Sequence, residues 1–271
     1  LYWFNFFSKL NVRYFESNYK TQIKLVPMAG LGERFNKIGI KVPKPFIPIR
    51  NSPMFVHALN SLPSSSINVL ITKDSMVQRA QTALKSANLS AKILSLAENT
   101  TGPGETILSV KDNINPSHSI LVLSCDYEQQ INSEICDKLM ESSDYIAGVF
   151  YTNFSKYRMK SPEAFAYAKI SENGLVQEIV EKKLISENPE TDALLIGSFW
   201  FSSANVLFYI LEKAKSTGML VNGELYVANA MNILINEGFK VFAAPVDAWI
   251  SYGDPEELEI YNWWEELLLK H

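Results

Sequence analysis

Residues 22–35, QIKLVPMAGLGERF, place a short apolar run directly before a loop punctuated by Gly30 and Gly32 and followed by Arg34. An apolar run of this length ended by small residues is the pattern of a buried strand feeding a turn. Glycines at 30 and 32 let backbone N–H groups come close to a phosphate, and Arg34 adds a planar, multidentate donor for its oxygens. The loop is not the dinucleotide fingerprint, which needs a third glycine where Phe35 stands, and no G-K-[ST] follows to make a P-loop. Further on, Pro43-Lys44-Pro45 holds a lysine between two prolines whose fixed φ presents it from a stiff loop.

Outward from this stretch, strand and helix alternate. Helical patterns at 54–62, 75–88 and 106–114 separate strand-like runs at 68–72, 91–96 and 119–124, which predicts parallel βαβ units. The run at 119–124, SILVLS, is apolar on both faces, as in a central strand covered on either side, and leads into Cys125-Asp126. Past Asp144 the texture changes to strands at 145–152, 165–171, 176–181 and 194–202, with Ser171-Glu172-Asn173-Gly174 as a tight hairpin turn. Helices at 204–215, 224–237 and 255–269, and a strand at 240–246, complete the reading. The prediction is an α/β fold: a doubly wound, mostly parallel mixed sheet with an antiparallel insertion, forming one domain over 21–271. Its ligands belong in the crevice at the carboxyl ends of the strands.

Composition narrows the partners. With 25 Lys+Arg against 29 Asp+Glu the chain is mildly acidic and has no basic block, so neither nucleic acid nor an anionic membrane is an expected partner. Cys125 and Cys136 come with no metal-ligand spacing, and the three histidines are scattered, which fits a reducing, cytoplasmic setting and argues against zinc. Residues 1–20 stand apart: Tyr2, Trp3, Phe4, Phe6, Phe7, Tyr14, Phe15 and Tyr19 crowd a segment that Asn5, Ser8, Lys9, Asn11 and Arg13 interrupt well before a membrane span is reached. We read it as an extension or linker that packs on the core, on a partner, or on a fused domain. The last helix, with Trp263 and Trp264, has apolar surface for core packing or for a homo-oligomer.

Taken together, PMAGLGERF and KVPKPFIPIRNSPMFVHAL resemble the opening signature of the nucleotidyltransferases that make nucleotide-activated sugars, with the closest likeness to bacterial members associated with capsule and surface polysaccharide. The resemblance runs from about Ile23 to Tyr261 and implies a Rossmann-type sheet related to that of GT-A glycosyltransferases. It also implies roles. Met28, Ala29, Gly30, Leu31 and Gly32 would line the nucleotide, and Arg34 and Lys44 would hold the triphosphate. The TGPGET loop, with Gly102 and Gly104, would border the base. Asp126 would be the Mg²⁺ ligand. In IVEKK, Lys182 would hold the acceptor phosphate beside Glu181, and NGELYV would bring Glu224 to the acceptor.

The implied activity is Mg²⁺-dependent transfer of a nucleoside monophosphate from a nucleoside triphosphate to a sugar 1-phosphate or comparable phosphomonoester. Such a reaction joins two anions and needs cations more than covalent help. One departure bears on the metal. Relatives carry a second metal-binding aspartate where this chain has Asn229, whose amide keeps an oxygen but loses the charge, so Glu224 or Asp254 would have to compensate. Two other readings stand beside the enzyme: a glycosyltransferase, against which the lack of a D-x-D motif weighs, and a non-catalytic nucleotide-sugar-binding domain. For Asp126 alone the plain alternative is a helix cap, and for Lys182 a solvated Glu-Lys-Lys run.

Overall fold

A computed structural model of the chain describes residues 22–30, 32–62, 67–153 and 162–269. The aromatic segment 1–20 and Leu31 lie outside the described residues. Strand β1 (Gln22–Pro27) runs through the middle of the sheet, parallel to β4 (Ile67–Lys73) on one side and to β6 (Ser119–Val122) on the other. β5 (Lys92–Leu96) extends this parallel half beyond β4. Successive side chains point to opposite faces. Ile23 and Leu25 join Val69, Ile71, Ile120 and Val122 in one core, while Val26 joins Leu70, Leu121 and Leu123 in another. Helices α2 (Met54–Asn60) and α3 (Val77–Ser86) cover the second face through Phe55, Leu59, Ala80 and Leu84. On the first lie α4 (Pro103–Leu108) and α6 (Ala204–Ser216), through Ile107, Leu207 and Leu211. Coverage on both sides is why these strands read as continuous apolar runs.

Beyond β6 the sheet turns antiparallel. β11 (Ala193–Phe201) pairs with β6, β8 (Ala147–Asn153) and β9 (Ala166–Ile170), all antiparallel. β10 (Val176–Glu181) forms a hairpin with β9, closed as expected at Ser171–Gly174, where the Gly174 N–H donates to the Ser171 carbonyl at 2.9 Å. β12 (Val241–Pro245) adds in parallel to β8 and completes a sheet of nine strands among the described residues. The doubly wound mixed α/β sheet with an antiparallel insertion is thus the architecture observed.

Several elements differ from the expectation. The helix predicted over 224–237 starts later, as two short ones, α7 (Val227–Ala230) and α8 (Asn232–Asn236); ahead of them the Leu225 N–H donates to the Thr101 carbonyl and its carbonyl accepts from Gly104 of α4. Helix α5 (Ser133–Glu141), capped by the Asn132 side chain, was not anticipated. Nor was the small ladder of β7 (Tyr127–Gln130) with β13 (Ala248–Ser251), or the β2 (Pro48–Ile49) and β3 (Ser52–Pro53) pair. β7 is polar yet buried. Glu128, only 4% exposed, accepts from Arg50 Nη2 at 3.1 Å and lies 3.0 Å from His57 Nδ1, and Gln129 accepts from Ser198 at 2.8 Å. A third core, of Phe35, Ile49, Ile250, Tyr252, Leu258 and Tyr261, packs the final helix α9 (Pro255–Leu269) beside that ladder.

Candidate active site

The carboxyl ends of β1 and β6 open into a cleft of about 670 Å³, the place where open α/β sheets bind their ligands. Arg34, Lys44, Asp126, Glu181, Lys182, Glu224 and Asp254 all line it. Met28 is held from below by its N–H donating to the Ile71 carbonyl at 2.8 Å, and Ala29 is buried with it, while Gly30 is exposed on the cleft. Gly32, at φ 64°, starts the short helix α1 (Glu33–Lys37), and a Cβ on it would come within 3.0 Å of Lys44 Cβ. The glycine loop and the proline-flanked lysine therefore pack against each other. Arg34 projects from α1 with its side chain exposed and without a hydrogen-bond or ion-pair partner among the described residues. It is free to meet an anion.

Lys44 faces Asp126 across the cleft floor, Nζ to Oδ2 at 2.5 Å, with the two side chains 24% and 15% exposed. The Ser124 hydroxyl donates to Asp126 Oδ1 at 2.5 Å. Burial works against both charges, but each supplies the other's counter-ion. Against the cost of burial, the Asp126 carboxylate keeps Lys44 raised, and Lys44 with the Ser124 hydroxyl keeps Asp126 lowered. Asp126 is therefore an ionised, oxygen-bearing group at the end of a central strand. These are the properties a hard divalent ion requires. Among the described residues no three His, Cys, Asp or Glu side chains converge. An ion held by Asp126 would take its other ligands from water and substrate, as Mg²⁺ commonly does.

The opposite wall is formed where β10 ends. Lys182 takes the left-handed conformation, φ 57°, which turns its ammonium back over the Tyr226 ring at 5.4 Å and onto the Ala164 carbonyl at 3.0 Å. Burial lowers its pKa, and the charges of Arg34 and Lys44 lower it further, against the pull of Glu181 and Glu224. All three cations line the one cleft. Glu181 is buried and pushed up to about 7, first by burial and then by Glu224, with Lys182 opposing. The Tyr226 hydroxyl donates to the Glu224 carboxylate.

Some predicted residues serve the frame instead. Gly104 is not among the cleft-lining residues: its N–H donates to the Leu225 carbonyl at 2.8 Å, and a Cβ there would lie 2.7 Å from Leu225 Cγ. Gly102 lines the cleft but also packs closely on Glu224 and Leu225. Asn229 does not line the cleft and donates from Nδ2 to the Met219 carbonyl at 3.3 Å. Asp254 lines the cleft, but its Oδ1 accepts the Glu257 N–H at 3.0 Å, which makes it the cap of α9. Ser124 and Tyr226 have roles that the sequence reading did not give them. The two-residue spacing of Ser124 and Asp126 was a readable signal; the ring over Lys182 was not. Gly253 also matters, since a Cβ on it would lie 2.7 Å from Asp126 Oδ2.

Comparison with known proteins bears on the fold and the family. A family model described as nucleotidyl transferase matches residues 24–258. The low-salt glycan biosynthesis nucleotidyltransferase Agl11 of Haloferax volcanii is 22% identical over 234 residues, covering 84% of this chain and 62% of that protein. The bifunctional protein GlmU of Methanocaldococcus jannaschii is 25% identical over 215 residues, covering 79% and 47%. The chain thus spans roughly half to three-fifths of these relatives' lengths. Among solved structures, the nucleoside-diphosphate-sugar pyrophosphorylase of Vibrio cholerae superposes with a TM-score of 0.72 at 20% identity, covering 88% of this chain and 98% of that one. The inositol-1-phosphate CTP transferase of T. maritima does so with a TM-score of 0.71 at 14% identity, covering 92% and 96%. At such identities the structures speak for the fold, and the family follows from the match across most of the chain: the protein belongs to the nucleotidyl transferase family.

Proposed function

We propose that the protein transfers a nucleoside monophosphate from a nucleoside triphosphate to a sugar 1-phosphate or similar phosphomonoester, releasing pyrophosphate. The observation that carries this is the convergence of Arg34, Lys44, Lys182 and Asp126 on one cleft. An acceptor phosphate oxygen attacks the α-phosphorus as the bond to the bridging oxygen of pyrophosphate breaks, so no proton need be lost from the nucleophile. Arg34 and Lys44 bind the β- and γ-phosphates and stabilise the charge that gathers on the leaving group. Lys182, on the facing wall, holds the acceptor phosphate and offsets its repulsion from the triphosphate. Asp126 would hold Mg²⁺, which when bound supplies positive charge to the phosphate oxygens. Glu181 and Glu224 offer acceptors for hydroxyls of a sugar or polyol. The names of two similar proteins, one tied to glycan biosynthesis and one to a nucleoside-diphosphate sugar, support a sugar-phosphate acceptor. Cys125 and Cys136 are both free thiols, in keeping with a cytoplasmic enzyme.

The test is pyrophosphate release with each nucleoside triphosphate, Mg²⁺ and a panel of sugar and polyol phosphates. One pairing is expected to turn over, and Asp126→Asn is expected to lose that turnover while keeping its circular dichroism. Binding of a nucleotide sugar with no pyrophosphate from any pairing would replace the enzyme with a binding domain.

A further inference from the structure

We propose that the Lys44–Asp126 ion pair is the closed form of the metal site, so that a divalent ion reaches Asp126 only as the phosphates of a nucleoside triphosphate draw Lys44 away. The inference rests on Asp126 being the metal anchor. Both carboxylate oxygens are engaged, Oδ2 by the Lys44 ammonium at 2.5 Å and Oδ1 by the Ser124 hydroxyl at 2.5 Å. Backbone packs close on the same oxygen, since a Cβ on Gly253 would lie 2.7 Å from Oδ2. An incoming cation therefore competes with the ammonium for one carboxylate charge.

Lys44 is suited to leave. Among the described residues its ammonium has no hydrogen-bond partner other than Asp126. The base of the lysine is fixed, with its Cβ against Gly32 and prolines on either side, so the ammonium swings from a stiff root within reach of the glycine loop. A polyphosphate tail carries several negative charges and is a stronger partner for a lysine than one carboxylate. When it arrives, the ammonium moves to phosphate and the vacated Oδ2 accepts the metal that the same phosphates carry in. The cleft then never holds Asp126 without a counter-ion, and metal alone is a poor ligand.

Equilibrium dialysis with Mn²⁺ tests this without catalysis, using wild type, Lys44→Met, Lys44→Gln and Lys44→Arg, each with and without inorganic tripolyphosphate. Without tripolyphosphate, Met and Gln variants are expected to bind Mn²⁺ roughly tenfold more tightly than wild type, and Asp126→Asn in the Lys44→Met background removes the gain. Lys44→Arg, which keeps a cation on Asp126, stays as weak as wild type. Reading two uncharged variants together keeps the result from hanging on the packing of one side chain. If both match wild type for metal alone while wild type retains Mn²⁺ with tripolyphosphate, the latch is overturned and the anchor stands. If no form retains Mn²⁺ under either condition, the metal assignment of Asp126 falls, and the latch with it.

Discussion

The Lys182 ammonium stands 5.4 Å from the centre of the Tyr226 ring and donates to the Ala164 carbonyl at 3.0 Å. A ring face and a carbonyl hold the cation in place without neutralising it. Lys182→Ala is expected to raise KM for the acceptor phosphate by roughly tenfold to a hundredfold, the scale of a charge-assisted contact, with KM for the triphosphate changed by no more than about twofold. Initial rates with both substrates varied will check this. Equal rises in both constants would remove Lys182 from the acceptor.

Glu181 makes stability fall as pH rises. Burial and Glu224 raise its pKa from 4.5 to about 7, so the folded chain holds this proton more tightly than the unfolded one. Its contribution is full below about 4.5 and is lost as pH climbs through about 7, a change on the order of 3 kcal/mol. Thermal melts of wild type and Glu181→Gln between about pH 5 and 8 should show a drop in wild type that the variant lacks. Parallel curves would mean that Glu181 is ionised and comfortable in the fold.

Gly104→Ala should loosen the seam between the start of α4 and Leu225. The added Cβ would lie 2.7 Å from Leu225 Cγ and 2.8 Å from its carbonyl oxygen. Overpacking of this kind costs about 1–3 kcal/mol, measurable by urea denaturation, and a higher KM for the triphosphate should accompany it. Unchanged stability would show that the seam yields easily.

Glu128→Ala removes the carboxylate shared by Arg50 and His57 under β7. Breaking a buried ion pair leaves the Arg50 guanidinium without this anion and costs about 3–5 kcal/mol. Arg50 also meets the Tyr261 hydroxyl at 2.7 Å and Glu265 at 3.5 Å, which puts the expected loss at the lower end. Denaturant unfolding followed by tryptophan fluorescence is the measurement, and a loss below about 1 kcal/mol would contradict the network's role.

The sheet was legible because its strands obey simple rules: 119–124 is apolar at nearly every position since helices cover both faces, and the residues after it and after β1 carry the charges. β7 was not legible. Tyr127-Glu128-Gln129-Gln130 looks like a surface turn until Arg50, His57 and Ser198, all distant in the chain, are found to partner its polar side chains. The same distance hid the Lys44–Asp126 contact, although each residue was singled out for its chemistry. Asp254 shows the opposite lesson, since Asp-Pro-Glu-Glu is a helix start in plain sight, with the acid as cap and proline in the first turn. Asn229 looked like a weakened ligand because a motif has no way of showing which side chains face the cleft.

Asp126 and Gly253 touch across nearly half the chain, and among the described residues β7 finds its only ladder partner in β13. During translation the parallel half of the sheet can form while the rest is still on the ribosome. The carboxylate at its edge, however, has no back wall until the closing segment emerges. A nascent chain stalled before that point would carry a nearly complete sheet and an unfinished cleft.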